Sequence, residues 1–340
     1  MHSIIRYIST VTLFSIVASG LNAMPSPTEQ DSKIVALGFK CSHEADVLAP
    51  VTPETDALYK YGLYLQLKEG QRDFNAAARY YRIAAANGHY KAATNLQALI
   101  SQGLADSPNA QKETIDLVEQ FIALKVPGAY YDMGHYLEAG YGVEQDNEKA
   151  NAYFRKAADL GNPDAQFYVA SLLGQVEGGQ DVMEQMQRCA ADQGHANAAR
   201  ELGGYLRVVG KYEEALQLYQ QGVKSGDLAS ARRLAEAFKG PSSSSSLYYM
   251  QLKEDNERSA RYLAISAFIR SHESLAPKLP DIDSIVPLPP GPLPSWDGSF
   301  QWQKERELKL APKKPEDAIL DKLSREKNLD SSTGLPLAKI

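Results

Sequence analysis

Small and apolar residues recur along residues 55–272 in one spacing: a small residue, an apolar one four later, a small one five later and an apolar one eight later. Six sets fit it. They are Ala57, Tyr61, Gly62, Leu65; Ala92, Leu96, Gln97, Ile100; Ala129, Met133, Gly134, Leu137; Ala165, Val169, Ala170, Leu173; Ala198, Leu202, Gly203, Leu206; and Ser230, Leu234, Ala235, Phe238. Offsets 4, 5 and 8 share one side of an α-helix, and the small residue at offset 5 lets a partner helix approach closely. Gln97 is the misfit, because a small residue belongs there.

A second helical stretch follows most sets: Ala76–Asn87, Lys149–Leu160, Asp181–Gln193 and Tyr212–Ser225. Each ends at a glycine (Gly88, Gly161, Gly194, Gly226) placed to close the helix in the left-handed conformation. Lys125-Val126-Pro127 replaces that glycine in the second unit, with Pro127 expected to stop the helix. Asp73 and Asp146 stand at N-cap positions, and His89 and His195 follow turn glycines where they are expected to cap. The pattern predicts an all-α, right-handed α-α superhelical solenoid of about six helix pairs over residues 55–273. A single pair cannot cover its own apolar face, so neighbours must stack. The sixth pair is interrupted by Gly240-Pro241 and Ser242–Ser246, which puts its second helix at Glu254–Ser271.

The ends read differently. Residues 1–23 form a signal-peptide pattern: Arg6, a short apolar run over Ile8–Ala18, and a cleavage site at Leu21-Asn22-Ala23. The run is too short to span a membrane, so no span is expected once the signal is removed. Residues 24–54 are expected to be an extended lead-in, with a short helix or strand near Val35–His43. Residues 274–340 form a proline-rich C-terminal segment that carries Ile282, Ile285, Val286, Leu288, Leu293, Trp296, Phe300 and Trp302. That many large apolar groups do not suit a free linker, so the segment is expected to cover the C-terminal end of the solenoid. One short helix is expected over Pro315–Asn328, with the last residues loose.

The third unit, Ala129-Tyr-Tyr-Asp-Met133-Gly134 through Leu137-Glu-Ala-Gly140-Tyr-Gly142-Val143 to Lys156-Ala157-Ala158 and Gly161, resembles the Sel1 repeat position for position. That repeat is a variant of the tetratricopeptide helix pair. The segment from Val286 to Trp302, the Gly334-Leu335-Pro336 ending and Phe39–Glu44 resemble a group of Gram-negative proteins in which a Sel1-like array precedes a domain of uncharacterised function. Some members lie beside type VI secretion phospholipase effectors and act as periplasmic immunity proteins. The resemblance implies a periplasmic protein-binding scaffold that neutralises such an effector by direct binding. The alternative is a cell-envelope adaptor that organises a cell-wall or signalling complex.

Composition narrows the chemistry. Lys and Arg total 36 against 42 Asp and Glu, a net charge of −6. The basic face of a nucleic-acid binder is therefore not expected. Only two cysteines occur, Cys41 and Cys189. In an exported protein they could pair, but they stand 148 positions apart, the sequence does not bring them together, and two separate buried thiols is the plainer reading. His43-Glu44-Ala45-Asp46 lacks the two-histidine spacing of a zinc protease, and the chain has no phosphate loop, nucleophile elbow or dinucleotide fingerprint. No catalytic group, cofactor or metal is expected, and function is assigned to a protein partner. By analogy with tetratricopeptide arrays, offsets 2, 6 and 9 of each first helix line the concave surface, clear of the packing between repeats. They include Tyr59, Gln66, Thr94, Tyr131, His135, Glu138, Phe167, Arg200 and Arg207, with Lys91 one residue ahead of its set. Aromatic and Arg groups on a rigid surface suit an interface.

Overall fold

The computed structural model describes residues 38–307 and 311–337. The expected signal peptide lies outside the described residues. The six pairs form as α2 (Pro53–Leu67) with α3 (Phe74–Ala86), α4 (Tyr90–Ser101) with α5 (Ala110–Ala123), α6 (Pro127–Ala139) with α7 (Asn147–Asp159), α8 (Pro163–Leu173) with α9 (Gln180–Asp192), α10 (Ala196–Val208) with α11 (Tyr212–Lys224), and α12 (Leu228–Ala237) with α13 (Asn256–Ser271). A four-residue helix, α1 (Glu44–Val47), precedes them. Among the described residues of the lead-in the helix falls one residue beyond the expected stretch, residues 38–43 are irregular, and residues 35–37 lie outside the described residues. No strand occurs among the described residues, only an isolated bridge between Leu329 and Pro336.

Caps place these helices. Asp73 accepts from the Ala76 N–H at 2.8 Å and Asp146 from Lys149 at 2.9 Å. The residue after each closing glycine caps the next first helix. His89 Nδ1 takes the Ala92 N–H at 3.2 Å, Asn162 Oδ1 that of Ala165 at 2.8 Å, His195 Nδ1 that of Ala198 at 3.0 Å and Asp227 Oδ2 that of Ser230 at 2.7 Å. Each such bond satisfies an N–H that the helix leaves unpaired. The second unit departs from expectation. α5 already ends at Ala123, Lys125 takes the left-handed place with φ 58°, and Pro127 is the first residue of α6. Proline suits that position because its missing N–H would be unpaired there anyway.

Two compact units divide the described chain, residues 42–165 with 311–337, and residues 38–41 with 166–307. In the first, Gly134 of α6 lets the Phe154 ring of α7 in so closely that a Cβ would lie 2.5 Å from Cε1. Gln97 is buried, and its Oε1 accepts from the Tyr136 hydroxyl at 2.8 Å. This bond gives the misfit position a partner. The chain's end is not loose. Helix α16 (Asp317–Glu326) buries Leu320 and Leu323 in the cluster of α3 and α4. Arg79 Nε then donates to the Ser331 carbonyl at 2.5 Å and Arg82 Nη1 to that of Thr333 at 3.3 Å.

In the second unit the proline-rich segment packs against α11 and α13 through Leu279, Ile282, Ile285, Val286 and Phe300, all buried. It carries the short helices α14 (Ile282–Ile285) and α15 (Gln301–Glu307). Proline supplies carbonyls without N–H groups, so the donors must come from elsewhere. Arg261 gives Nη1 to Ile285 O at 2.6 Å and Nη2 to Pro294 O at 2.7 Å. Arg258 Nε reaches Pro287 O at 3.1 Å, its Nη2 reaches Gly291 O, and Gln220 Nε2 reaches Val286 O at 3.0 Å. Cys41 and Cys189, the latter buried in α9, form a disulfide.

Candidate functional site

The first-helix faces carry the expected residues, and the structure sorts them. Among those of the first unit, Lys91 and Glu138 are exposed, and exposed Thr94 donates to the Tyr90 carbonyl. Tyr59 stacks on the His89 ring of the next pair at 4.3 Å. Gln66 Oε1 accepts from the Tyr81 hydroxyl at 2.6 Å. Tyr131 lies 5.6 Å from the Phe154 ring of its own pair and edge-on to His135 at 4.6 Å. His135 Nδ1 is 3.2 Å from Glu138 Oε2, and burial lowers its ring pKa against the opposing pull of Glu138 and Asp164. In the second unit Phe167 packs on the His195 ring of the next pair at 4.6 Å. Arg200 Nη1 donates to Asp227 Oδ1 at 3.0 Å, and Arg207 Nη1 reaches the Ser246 carbonyl at 3.5 Å. Tyr59 and Phe167 therefore do pack between repeats, contrary to expectation. The reason is that offset 2 faces the cap of the following first helix.

The structure also shows residues that this offset rule passed over. In the first unit Asp132 of α6, at offset 3, accepts from the Tyr90 hydroxyl at 2.8 Å. Glu44 of α1 accepts from Asn162 Nδ2 at 3.1 Å, and Asp164 opens α8 nearby. Burial pushes the Asp132 carboxyl up to about 7, with Glu44 and Asp164 adding repulsion and Tyr90 and Gln97 pulling it back. Glu44 is also raised, chiefly by burial, against hydrogen bonds from Asn162 and Gly128. A carboxyl raised in the folded state favours folding when protonated. Its contribution is complete below about pH 4 and is lost as pH rises through about 7. Asp132→Asn keeps the acceptor for Tyr90 and removes the charge. It should raise stability at pH 8 by at most about 4 kcal/mol, from three pKa units, and leave pH 4 stability nearly unchanged. Urea unfolding at the two pH values checks this, and parallel shifts at both would contradict it.

A sequence signal for this group existed in part. Tyr90 and Asp132 stand at offsets −2 and 3 of neighbouring sets, but Glu44 comes from the lead-in, 118 positions from Asn162. In the second unit Arg233 of α12, also at offset 3, lies over the Tyr219 ring, its guanidinium carbon 5.7 Å from the centroid. Among the described residues no helix is long and apolar enough to cross a membrane.

Helix pairs with this spacing and these caps define a Sel1-type solenoid. Family models agree. The Sel1 repeat matches residues 55–89, 127–162 and 196–227, and a domain of unknown function, DUF6396, matches residues 230–337. Three solved structures from Pseudomonas aeruginosa are similar. Immunity protein PA5088 is 29% identical, with a TM-score of 0.60 over 75% of this chain and 95% of its own. Immunity protein Pa5087 and PA5086 are each 30% identical, with TM-scores of 0.57 over 75% of this chain and 96% of theirs. No curated protein matches. The chain belongs to the family of Sel1-repeat proteins with a C-terminal DUF6396 domain.

Proposed function

We propose that this chain is a periplasmic immunity protein that binds a secreted phospholipase effector of a type VI system and blocks it by occupancy. The observation that carries the reading is the 30% identity to an immunity protein over 96% of that protein's length. The first-helix faces supply what a stoichiometric binder needs, partly exposed aromatic and charged groups on packed helices whose order is established before binding. Its candidate contacts are Lys91, Thr94, Tyr131, His135 and Glu138 in the first unit and Arg200 and Arg207 in the second. The Cys41–Cys189 disulfide supports export, because such bonds persist in oxidising compartments.

Under this proposal a phospholipase gene lies beside that of this chain; periplasmic expression of its product should kill cells, and co-expression of the full chain with its signal should restore growth. The same chain without residues 1–23 should give no protection. Protection by the cytoplasmic form, or none by the exported form made in normal amount, would refute the proposal.

A further inference from the structure

On the first-helix face of the second unit, charge and hydrogen-bonding capacity are out of balance at one place. The Tyr219 ring of α11 rises against Gly203 and Gly204 of α10, where a Cβ on Gly203 would lie 3.3 Å from the ring and one on Gly204 3.6 Å from the hydroxyl. Glycines there let a full tyrosine pass between helices. Arg200 and Arg207 stand one turn to either side of these glycines on α10, and Arg233 of α12 lies across the ring. All three guanidinium groups act on the Tyr219 hydroxyl, drawing its pKa down against the larger effect of burial, which raises it.

The hydroxyl has nevertheless no hydrogen-bond partner, and neither has Nε of Arg207, although both are buried. Arg233 lies near enough to pull on the hydroxyl but falls short of full hydrogen-bond geometry. Among the described residues only Arg200 of the three forms ion pairs, with Asp227 at 3.0 Å and Glu201 at 3.6 Å. Arg207 has only the long contact to the Ser246 carbonyl. Buried donors left unmade are costly, and their clustering under excess positive charge describes a place prepared for an acceptor.

We propose that Arg207 and Arg233, with Arg200 beside them and the Tyr219 hydroxyl beneath, form a socket for a carboxylate side chain of a protein partner. The arginine fork matches a carboxylate in two parallel bonds, and Asp227 already shows a carboxylate held by a guanidinium of this cluster. Arg207 and Arg233 are partly exposed, so solvent reaches their outer edges while the hydroxyl forms the floor. The socket deepens the immunity reading by naming an acidic residue on the effector as the group recognised, and it rests on that reading for its partner.

The test uses the full exported chain with its disulfide formed. Citrate, a small polycarboxylate, is titrated against chloride at matched ionic strength while the Arg Nε–Hε resonances are followed. Saturable shifts at Arg207 and Arg233 are expected. Arg233→Ala should weaken the apparent citrate affinity about tenfold, as expected for loss of a charge-assisted pair. Tyr219→Phe should weaken it about threefold while leaving folding unchanged or slightly more stable, because the hydroxyl it removes is unpaired. A purely structural tyrosine would not weaken citrate binding while leaving folding intact.

Citrate shifts that are absent, or equal in wild type and Arg233→Ala, overturn the socket. Tighter binding of inorganic phosphate than of citrate, or Arg233-dependent retention on phosphatidylglycerol vesicles, overturns the carboxylate assignment. The two proposals separate with the neighbouring effector. Undiminished effector binding by Arg207→Ala and Arg233→Ala removes the socket and keeps the immunity reading. A citrate site that behaves as expected, in a chain that binds no effector, keeps the socket and removes that reading.

Discussion

A chain ending at Glu273 is expected to lose its fold. In the second unit the removed segment supplies Leu279, Ile282, Ile285, Val286 and Phe300, each nearly or wholly buried against α11 and α13. At about 1.5–3 kcal/mol for each large side chain, this transfer term alone is roughly 7–15 kcal/mol, comparable to the whole stability of an ordinary domain. Truncation also strands donors. Arg258, Arg261 and Gln220 would lose the carbonyls of Ile285, Val286, Pro287 and Pro294 that fix them, and water would replace those acceptors. In the first unit the same truncation strips Leu320 and Leu323 from the cluster around α3 and leaves Arg79 and Arg82 without the carbonyls of Ser331 and Thr333. Size-exclusion chromatography and circular dichroism should show an aggregated or largely unfolded product. A soluble truncated chain with an unchanged unfolding midpoint would show that the C-terminal segment is dispensable.

The second large effect is expected from the disulfide. Cys41 and Cys189 are separated by 148 positions, and closing a loop of that length restricts the unfolded chain by roughly 5 kcal/mol in the chain-entropy account. Cys189 is buried in α9 and Cys41 is exposed, so replacing both with Ser also places a hydroxyl at the buried position. The Cys41→Ser, Cys189→Ala double variant avoids that complication. Its denaturation midpoint should fall well below that of the oxidised protein and match that of the wild type under dithiothreitol. Equal midpoints for oxidised, reduced and substituted chains would show that the bond does not stabilise the fold. If the bond matters as expected, protein retained in the cytoplasm should be the weaker form.

The repeat register was legible because it rests on local periodicity and capping. Ala129, Met133, Gly134 and Leu137 share one helix face, and Asp73, Asp146, His89 and His195 cap within three residues of themselves. What escaped depends on distant partners. Gln97 breaks the small-residue rule for a tyrosine hydroxyl 39 positions away, and the last residues read as loose because Arg79 and Arg82, which hold them, lie about 250 positions earlier. Lys125 in the left-handed region has no composition signal, since glycine is the residue that geometry advertises. On the first-helix faces the offset rule names Arg200 and Arg207 and passes over Arg233, Tyr219 and Asp132. It treats a helix face as a single row, whereas offset 3 of a first helix also meets a neighbouring first helix or a second-helix aromatic.

The central claim is that this chain acts by occupying a lipid-cleaving effector, and one titration tests it. The phospholipase that the proposal pairs with this chain is purified and held at fixed concentration, well above the dissociation constant, and its rate of lipid hydrolysis is measured as the oxidised chain is added. The account predicts a linear fall that reaches its floor at one equivalent, with no change on longer incubation. Undiminished hydrolysis at many equivalents, or loss that deepens with time at a small fraction of one equivalent, would contradict it.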